Sequence, residues 1–328
     1  MPEMRYAEAL NQALREEMQR DPTVLVFGED VGEHGGVFKV TQGLRAEFGP
    51  TRVLDTPTSE IAIAGAAVGA AMVGARPVAE FMFVDFMASA MDQVANQAAK
   101  MRYLTGGQVA VPLVFRTQGG AGGNFAAQHS QSLESWFCHI PGLKVVMPST
   151  PKDAKGLLKS AIRDDDPVVF IEHKLLYATR GWVPEDADFT VPLGVAEVVR
   201  EGTSVSVIAT GRMVRLALEA AVELEPEGID VELIDPRTLI PLDVEALSAS
   251  LRKTGRLVVV QEAPAAGSMG PYLIYEALRG AFDYVEAPVQ LVSAPHTPAP
   301  YSPALERHYV PDKERIKKTI REVALDLI

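Results

Sequence analysis

"RPVAEFMFVDFMASAMDQVANQAAKMRY", Arg76–Tyr103, opens as an apolar strand and closes as a helix. The strand reads over Arg76–Phe83 and the helix over Ser89–Tyr103, with Met82, Phe86 and Met87 at the junction. A short apolar strand running into a helix is the unit of a parallel sheet covered on both faces. The same unit recurs in both directions. "TVLVFG" (Thr23–Gly28), "VPLVFR" (Val111–Arg116), "LKVVMP" (Leu143–Pro148) and "PVVFIE" (Pro167–Glu172) read as further strands, with helices near Ser59–Val73 and Pro151–Arg163.

The Pro- and acid-rich "GWVPEDADFTVPLG" (Gly181–Gly194) interrupts this rhythm. It then resumes through "SVSVIA", "DVELID", "RLVVVQE" and "VQLVSA", with helices from Arg212, Asp243 and Met269. The expected architecture is therefore α/β with mostly parallel sheets in two domains, 1–190 and 191–328. At 328 residues the chain is also longer than one ordinary ~150-residue core.

Composition narrows the function. A net charge of −12 and a pI near 5.1 argue against nucleic-acid binding, which rests on clustered Lys and Arg. Cys138 is the only cysteine, so an intrachain disulfide and a cysteine-based zinc site are excluded. It is expected to be an inert buried thiol. The N-terminal stretch reads as a charge-rich amphipathic helix rather than a signal peptide, and no apolar run suggests a membrane span. Cytoplasm is the expected compartment.

Ligands of open α/β sheets gather at the C-terminal ends of the strands. The unusual loops there are "GED" after the first strand, "FMFVDF", and "RTQGGAGGN". Neither glycine-rich loop has the spacing of a phosphate cradle. Glu60 heads "EIAIAGAAVGAA", whose small and apolar residues predict a helix buried on every side. The carboxylate has two readings: a favourable charge in the first helical turn, or a desolvated acid that shares a proton with a ligand. His129, just past the second glycine-rich loop, is either a structural hydrogen-bonder or a proton-transfer group. The Met82–Phe86–Met87 cluster fits core packing, or stacking against a heteroaromatic ligand. "AIRDDDP" (Ala161–Pro167) places three aspartates at a helix end, facing solvent or binding a hard cation.

Read in order, "FGEDVGEHGGVFKVTQGL", "DTPTSEIAIAGAAVGAA", "GARPVAEFMFVDF", "AAQHSQS", "PGLKVVMPSTPKDAKGLLKSAIRDDDPVVFIEHKLLY" and "TGRLVVVQEA" resemble the beta subunit of the thiamine-diphosphate-dependent component of 2-oxo acid dehydrogenase complexes. Its members act on pyruvate, branched-chain 2-oxo acids or acetoin. The resemblance covers nearly the whole chain. It implies a pyrimidine-binding domain of the thiamine-diphosphate-binding fold, followed by a smaller domain like the C-terminal domain of transketolases. It also implies two alpha and two beta subunits, with the lipoyl arm of an acyltransferase core as acceptor. The alpha chain of such enzymes holds magnesium and diphosphate through a G-D-G motif followed by Asn. That motif is absent here, so this chain should supply half of a shared site.

By this resemblance Glu60 bonds the aminopyrimidine nitrogen of the cofactor and favours the tautomer that takes a proton from the thiazolium carbon. Phe86 packs on the pyrimidine with Met82 beside it, and Glu29, Thr58 and Ser59 line the same pocket. His129 lies near the reacting carbon. Leu113, Ala161, Asp164 and Asp166 match a potassium site built largely from backbone carbonyls, although position 166 is often Asn in relatives. "NFAAQHSQS" lacks the extra histidines expected of branched-chain members, and "RTQGGAGG", "SLESWFCHIPGL" and "APHTPAPYSP" point toward the acetoin type, with pyruvate beside it. The alternatives are a branched-chain subunit, a stand-alone synthase, which the missing motif disfavours, and a non-catalytic scaffold docking the acyltransferase.

Overall fold

A computed structural model describes residues 3–327. The chain forms two compact units. The first runs to Gly119 and resumes over Trp136–Leu193; the second takes Gly120–Ser135 and continues from Gly194.

In the first unit the strands are β1 (Glu3–Arg5), β2 (Val24–Gly28), β3 (Val53–Asp55), β4 (Arg76–Phe81), β5 (Val114–Gly119), β6 (Lys144–Val146), β7 (Val168–His173) and β8 (Arg180–Trp182). Its helices are α1 (Tyr6–Arg20), α2 (Leu44–Phe48), α3 (Glu60–Met72), α4 (Ala99–Leu104), α5 (Glu134–Cys138, at the border of the units) and α6 (Pro151–Arg163). Strands β6-β7-β5-β4-β2-β3 pair in that order, all parallel. Strands β5 and β7 are buried along their whole length, as strands inside a parallel sheet are. β1 and β8 form a separate antiparallel ribbon.

Helices α1 and α6 pack together beside this sheet. α1 turns Tyr6, Leu10, Leu14 and Met18 inward. α6 begins with Pro151 behind a Thr150 cap that accepts the Asp153 N–H at 3.1 Å. Charge seals their contact: buried Glu17 takes Arg163 at 2.7 Å, and Glu16 takes buried Lys155 and Lys159 at 2.9 and 2.7 Å.

The helix expected over Ser89–Tyr103 is wound in three ways: a 3₁₀ turn over Val84–Ala90, a π segment over Gln93–Ala98, then α4. The expectation that α3 is buried on every side is not met. Ile63, Ala64, Ala67, Val68 and Ala71 are buried, but Ile61 is 49% exposed and Ala62, Ala66 and Gly69 are exposed as well. An apolar composition shows only that a helix seeks cover; a single chain covers one face of this one.

The second unit contains β9 (Glu197–Arg200), β10 (Val205–Ala209), α7 (Arg212–Leu224), β11 (Val231–Asp235), β12 (Thr238–Ile240), α8 (Val244–Thr254), β13 (Leu257–Pro264), α9 (Met269–Ala281), β14 (Gln290–Ala294), α10 (Pro303–Tyr309) and α11 (Lys313–Ala324). Its sheet order is β14-β13-β10-β11-β9, parallel except for β9 on the edge. One core, with Val207, Leu233 and Val260, lies under α7 and α11; another, with Ile208, Ile234 and Val259, lies under α8 and α9. Among the described residues no helix is long and apolar enough to cross a membrane.

Candidate active site

The C-terminal ends of β2 and β4 define the site of the first unit. Gly28 closes β2 directly opposite Glu80 of β4. A Cβ on Gly28 would stand 2.6 Å from the Glu80 carbonyl oxygen, so only glycine lets the chain leave the sheet here. The loop that follows folds back on itself. Asp55 accepts the N–H groups of Gly32 and Glu33 at 2.6 and 3.1 Å, and the Thr41 hydroxyl donates to the Val31 carbonyl at 2.6 Å.

Glu29 leads this loop, and its carboxyl is held above the usual range by burial and then by the charges of Glu60 and Asp30. A hydrogen bond from the Thr58 side chain opposes the rise. Glu60 is half-buried in the first turn of α3. Ser59 occupies the N-cap position without a side-chain capping bond, and Thr58 is exposed. Glu29, Thr58, Ser59 and Glu60 thus share one corner.

Phe86 is set by a relay of rings. Tyr6 meets Tyr177 at 6.0 Å between centroids, Tyr177 stacks on Phe38 at 4.9 Å, Phe38 meets Phe83 at 6.1 Å, and Phe83 meets Phe86 at 5.3 Å. Phe86 and Met82 are half-buried, the Met82 carbonyl accepts from Gln118 at 2.8 Å, and Met87 is in the core. The 3₁₀ turn that carries Phe86 packs against α3, whose first residue is Glu60.

Below these groups lies a buried network that the sequence reading missed. Arg116 of β5 stands in register with Glu80 of β4 and pairs with it, and its Nη2 donates to Glu172 of β7 at 2.8 Å. Tyr177 donates to the same carboxylate at 2.6 Å. Burial works against the guanidinium charge, but Glu172 and Glu80 outweigh it and hold Arg116 protonated. The signal was one charged residue in each of three apolar strands, "PVAEF", "VFRTQ" and "VFIEH". A Cβ on Gly36 of the Glu29 loop would lie 3.3 Å from Glu80 Oε1, so the network also underlies that loop.

In the second unit His129 is half-buried and ends a 3₁₀ turn, Ala127–His129. Cys138, in the first unit at the end of α5, is half-buried rather than buried. His173 is a structural histidine, with Nδ1 accepting the Leu175 N–H at 3.2 Å.

The aspartates after α6 are salt-bridged rather than simply solvated. Lys144 holds both oxygens of Asp164 at 2.7 and 2.6 Å, and Arg102 and Arg76 take Asp166 and Asp165. Arg76 also donates to the carbonyls of Ile162 and Asp164. The Leu113 and Ala161 carbonyls accept Val168 N–H and Asp164 N–H at 3.0 and 3.4 Å.

Residues 2–180 match the family model "Transketolase, pyrimidine binding domain", and 194–316 match "Transketolase, C-terminal domain". The acetoin:2,6-dichlorophenolindophenol oxidoreductase subunit beta of Cupriavidus necator is 50% identical, over 96% of this chain and 95% of its own. The pyruvate dehydrogenase E1 component subunit beta of Rhizobium meliloti is 46% identical over 98% and 70%, and the 2-oxoisovalerate dehydrogenase subunit beta of Bacillus subtilis is 46% identical over 99% of each. Among solved structures, a split-gene transketolase described as an inactive beta4 tetramer aligns with a TM-score of 0.77 at 25% identity, over 98% of both chains. The chain belongs to the transketolase-like family of acetoin and 2-oxo acid dehydrogenase beta subunits.

Proposed function

We propose that this chain is the beta subunit of a thiamine-diphosphate-dependent oxidoreductase that acts on acetoin or pyruvate, with its active site completed by an alpha subunit. We take residues 1–190 as the pyrimidine-binding domain and 191–328 as the transketolase C-terminal-like domain. The observation that carries the reading is the corner made by Glu60, Glu29 and Thr58, with α3 packed on the turn that bears Phe86.

The donor set suits one end of the cofactor. A carboxyl at a helix head can bond the edge of an aminopyrimidine while a half-buried phenyl ring covers its face. The G-D-G motif through which the family's alpha chain holds the other end is absent from this sequence. Magnesium and diphosphate are therefore assigned to the alpha subunit. When bound, thiamine diphosphate supplies the carbon nucleophile and electron sink. Glu60 holds a proton against the ring nitrogen, with Glu29, Thr58 and Ser59 bounding its pocket. Met82 and Phe86 fix the ring plane and keep water from it. His129 is assigned proton transfer, or guidance of the lipoyl arm of an acyltransferase, the expected acceptor.

The acetoin assignment draws on the loop sequences around Gly119, Trp136 and His296 and on the 50% identical relative. A potassium ion is assigned near Leu113, Ala161, Asp164 and Asp166 through backbone carbonyls alone, since Lys144 and Arg102 already neutralise the two carboxylates. The uncovered face of α3 is assigned to the partner subunit, in a tetramer of two alpha and two beta chains.

The test is dye reduction by the chain co-purified with its partner, on acetoin, pyruvate and a branched-chain 2-oxo acid, with and without thiamine diphosphate. Cofactor-dependent turnover is expected, with acetoin or pyruvate preferred. Glu60→Gln should keep the assembly and lose about 10²-fold or more in turnover. Unchanged turnover in that variant would overturn the role given to Glu60.

A further inference from the structure

The segment Gly120–His129 runs from the end of β5 to the His129 turn with neither α-helix nor strand of its own. Its backbone is hard to hold. Gly120 and Gly122 lie at φ +85° and +95°, and two residues with side chains also take positive φ: Asn124 at 59° and Ala126 at 63°. Ala126, with ψ −174°, occupies a region that is almost glycine-only. Such a conformation persists only where surroundings fix it, and here backbone carbonyls do little of that work. The Gly120 N–H bonds the Gln131 carbonyl at 3.0 Å and closes the base of the loop.

Between these points the loop's amides go to carboxylates from distant parts of the second unit. The Ala121 N–H donates to Glu262 at the end of β13. The Gly122 N–H donates to Glu306 Oε1 at 2.9 Å, and the Asn124 N–H donates to Glu306 Oε2, also at 2.9 Å. Glu306 lies on α10, more than 180 residues away in sequence, and is 3% exposed.

Among the described residues Glu306 bonds these two amides and makes no ion pair. Burying a carboxylate without a cation is expensive, and an apolar side chain would fill the space at less cost. What a carboxylate adds is acceptors on both oxygens, able to take two N–H groups at once. Glutamine of the same shape would take one and turn an NH₂ toward the other. The two amides, with Gly123 between them, each reach a separate oxygen of the carboxylate.

We propose that Glu306 is a positioning residue: its carboxylate clamps the Gly122 and Asn124 amides and so fixes the loop that presents His129. The proposal rests on the assignment of His129 to the reaction, and its test separates the two.

The first arm needs no variant. In the assembled enzyme, amide exchange followed at single-residue resolution should show Gly122 and Asn124 protected at least tenfold relative to Gly123 between them. Equally fast exchange at all three would overturn the clamp. The second arm is Glu306→Gln, with Glu306→Asp as a shorter carboxylate. Exchange at Asn124 or Gly122 should rise tenfold or more in Glu306→Gln, and kcat for dye reduction should fall about tenfold with little change in KM for the cofactor. Because the effect runs through His129, combining Glu306→Gln with His129→Gln should cost no more than His129→Gln alone. Multiplicative losses would overturn the positioning role. If His129→Gln alone leaves kcat unchanged, the assignment of His129 has failed, and the exchange arm still decides the clamp.

Discussion

Arg116 and Glu172 face each other from neighbouring strands, with Nη2 2.8 Å from Oε2 and neither side chain more than 3% exposed. Glu80 completes the pairing from the other side. Removing the guanidinium leaves two carboxylates buried without a counter-charge, and breaking such a pair costs about 3–5 kcal/mol. Arg116→Met should therefore lower the urea midpoint sharply, whereas replacing all three residues with apolar ones of similar volume should recover most of the loss. A single variant as stable as the parent would show that the network carries no net stability.

Glu134 supplies a pH dependence. It is 3% exposed, and its carboxyl is pushed up to about 7, first by burial and then by the charge of Glu262. The folded chain keeps a proton that the unfolded chain releases near its ordinary 4.5. Stability from this group is thus complete below about pH 4.5 and is lost as pH rises through 7, up to about 3 kcal/mol in all. Comparing urea midpoints at pH 5 and pH 8 checks this: the difference between them should shrink in Glu134→Gln. An identical pH profile in the variant would place the titration elsewhere.

Phe38 sits midway along the rings that end at Phe86, in contact with both Tyr177 and Phe83. Phe38→Leu keeps an apolar side chain but removes two aromatic pairs, worth about 0.5–1.5 kcal/mol each. The expected result is a loss of about 1–3 kcal/mol on thermal unfolding, together with a several-fold rise in the thiamine diphosphate concentration needed for half-maximal turnover. Lost stability without that rise would show that Phe86 keeps its place unaided.

The uncovered side of α3 predicts behaviour in the absence of a partner. Ile61 is 49% and Val73 86% exposed, with Ala62, Ala66 and Gly69 bare between them. The chain purified alone should self-associate at micromolar concentration by light scattering. Adding the partner subunit should replace those oligomers with a defined complex. A clean monomer would argue against an obligate interface.

Strands such as β2, β5 and β7 were legible because they are mostly buried on both faces and begin as apolar runs, as "VPLVFR" does on entering β5. β9 was not, because "EVVR" is a half-exposed edge strand with no apolar run to announce it. Nor was the pairing of Glu80 with Arg116, since register between β4 and β5 is a tertiary fact that neither segment records. Glu60 stood out as a lone carboxylate at the head of an apolar helix, whereas Glu29, Thr58 and Ser59 joined its pocket only through the family resemblance. The carboxylates that hold the Gly120 loop did not stand out: Glu306 lies within "PALERHY", an unremarked stretch whose partners are over 180 residues upstream. The bare face of α3 marks a different limit. Its sequence promises burial but does not say in which molecule.

That face bears on what stability means for this protein. Under the proposed assignment of that face to a partner subunit, the chain has no single folding free energy. Partner binding adds RT ln(1 + [L]/Kd), so the same polypeptide is robust where its partner is abundant and fragile where it is scarce. Balanced synthesis of the two subunits would then act as a stabilising influence in its own right, set by the cell rather than by the contacts within either chain.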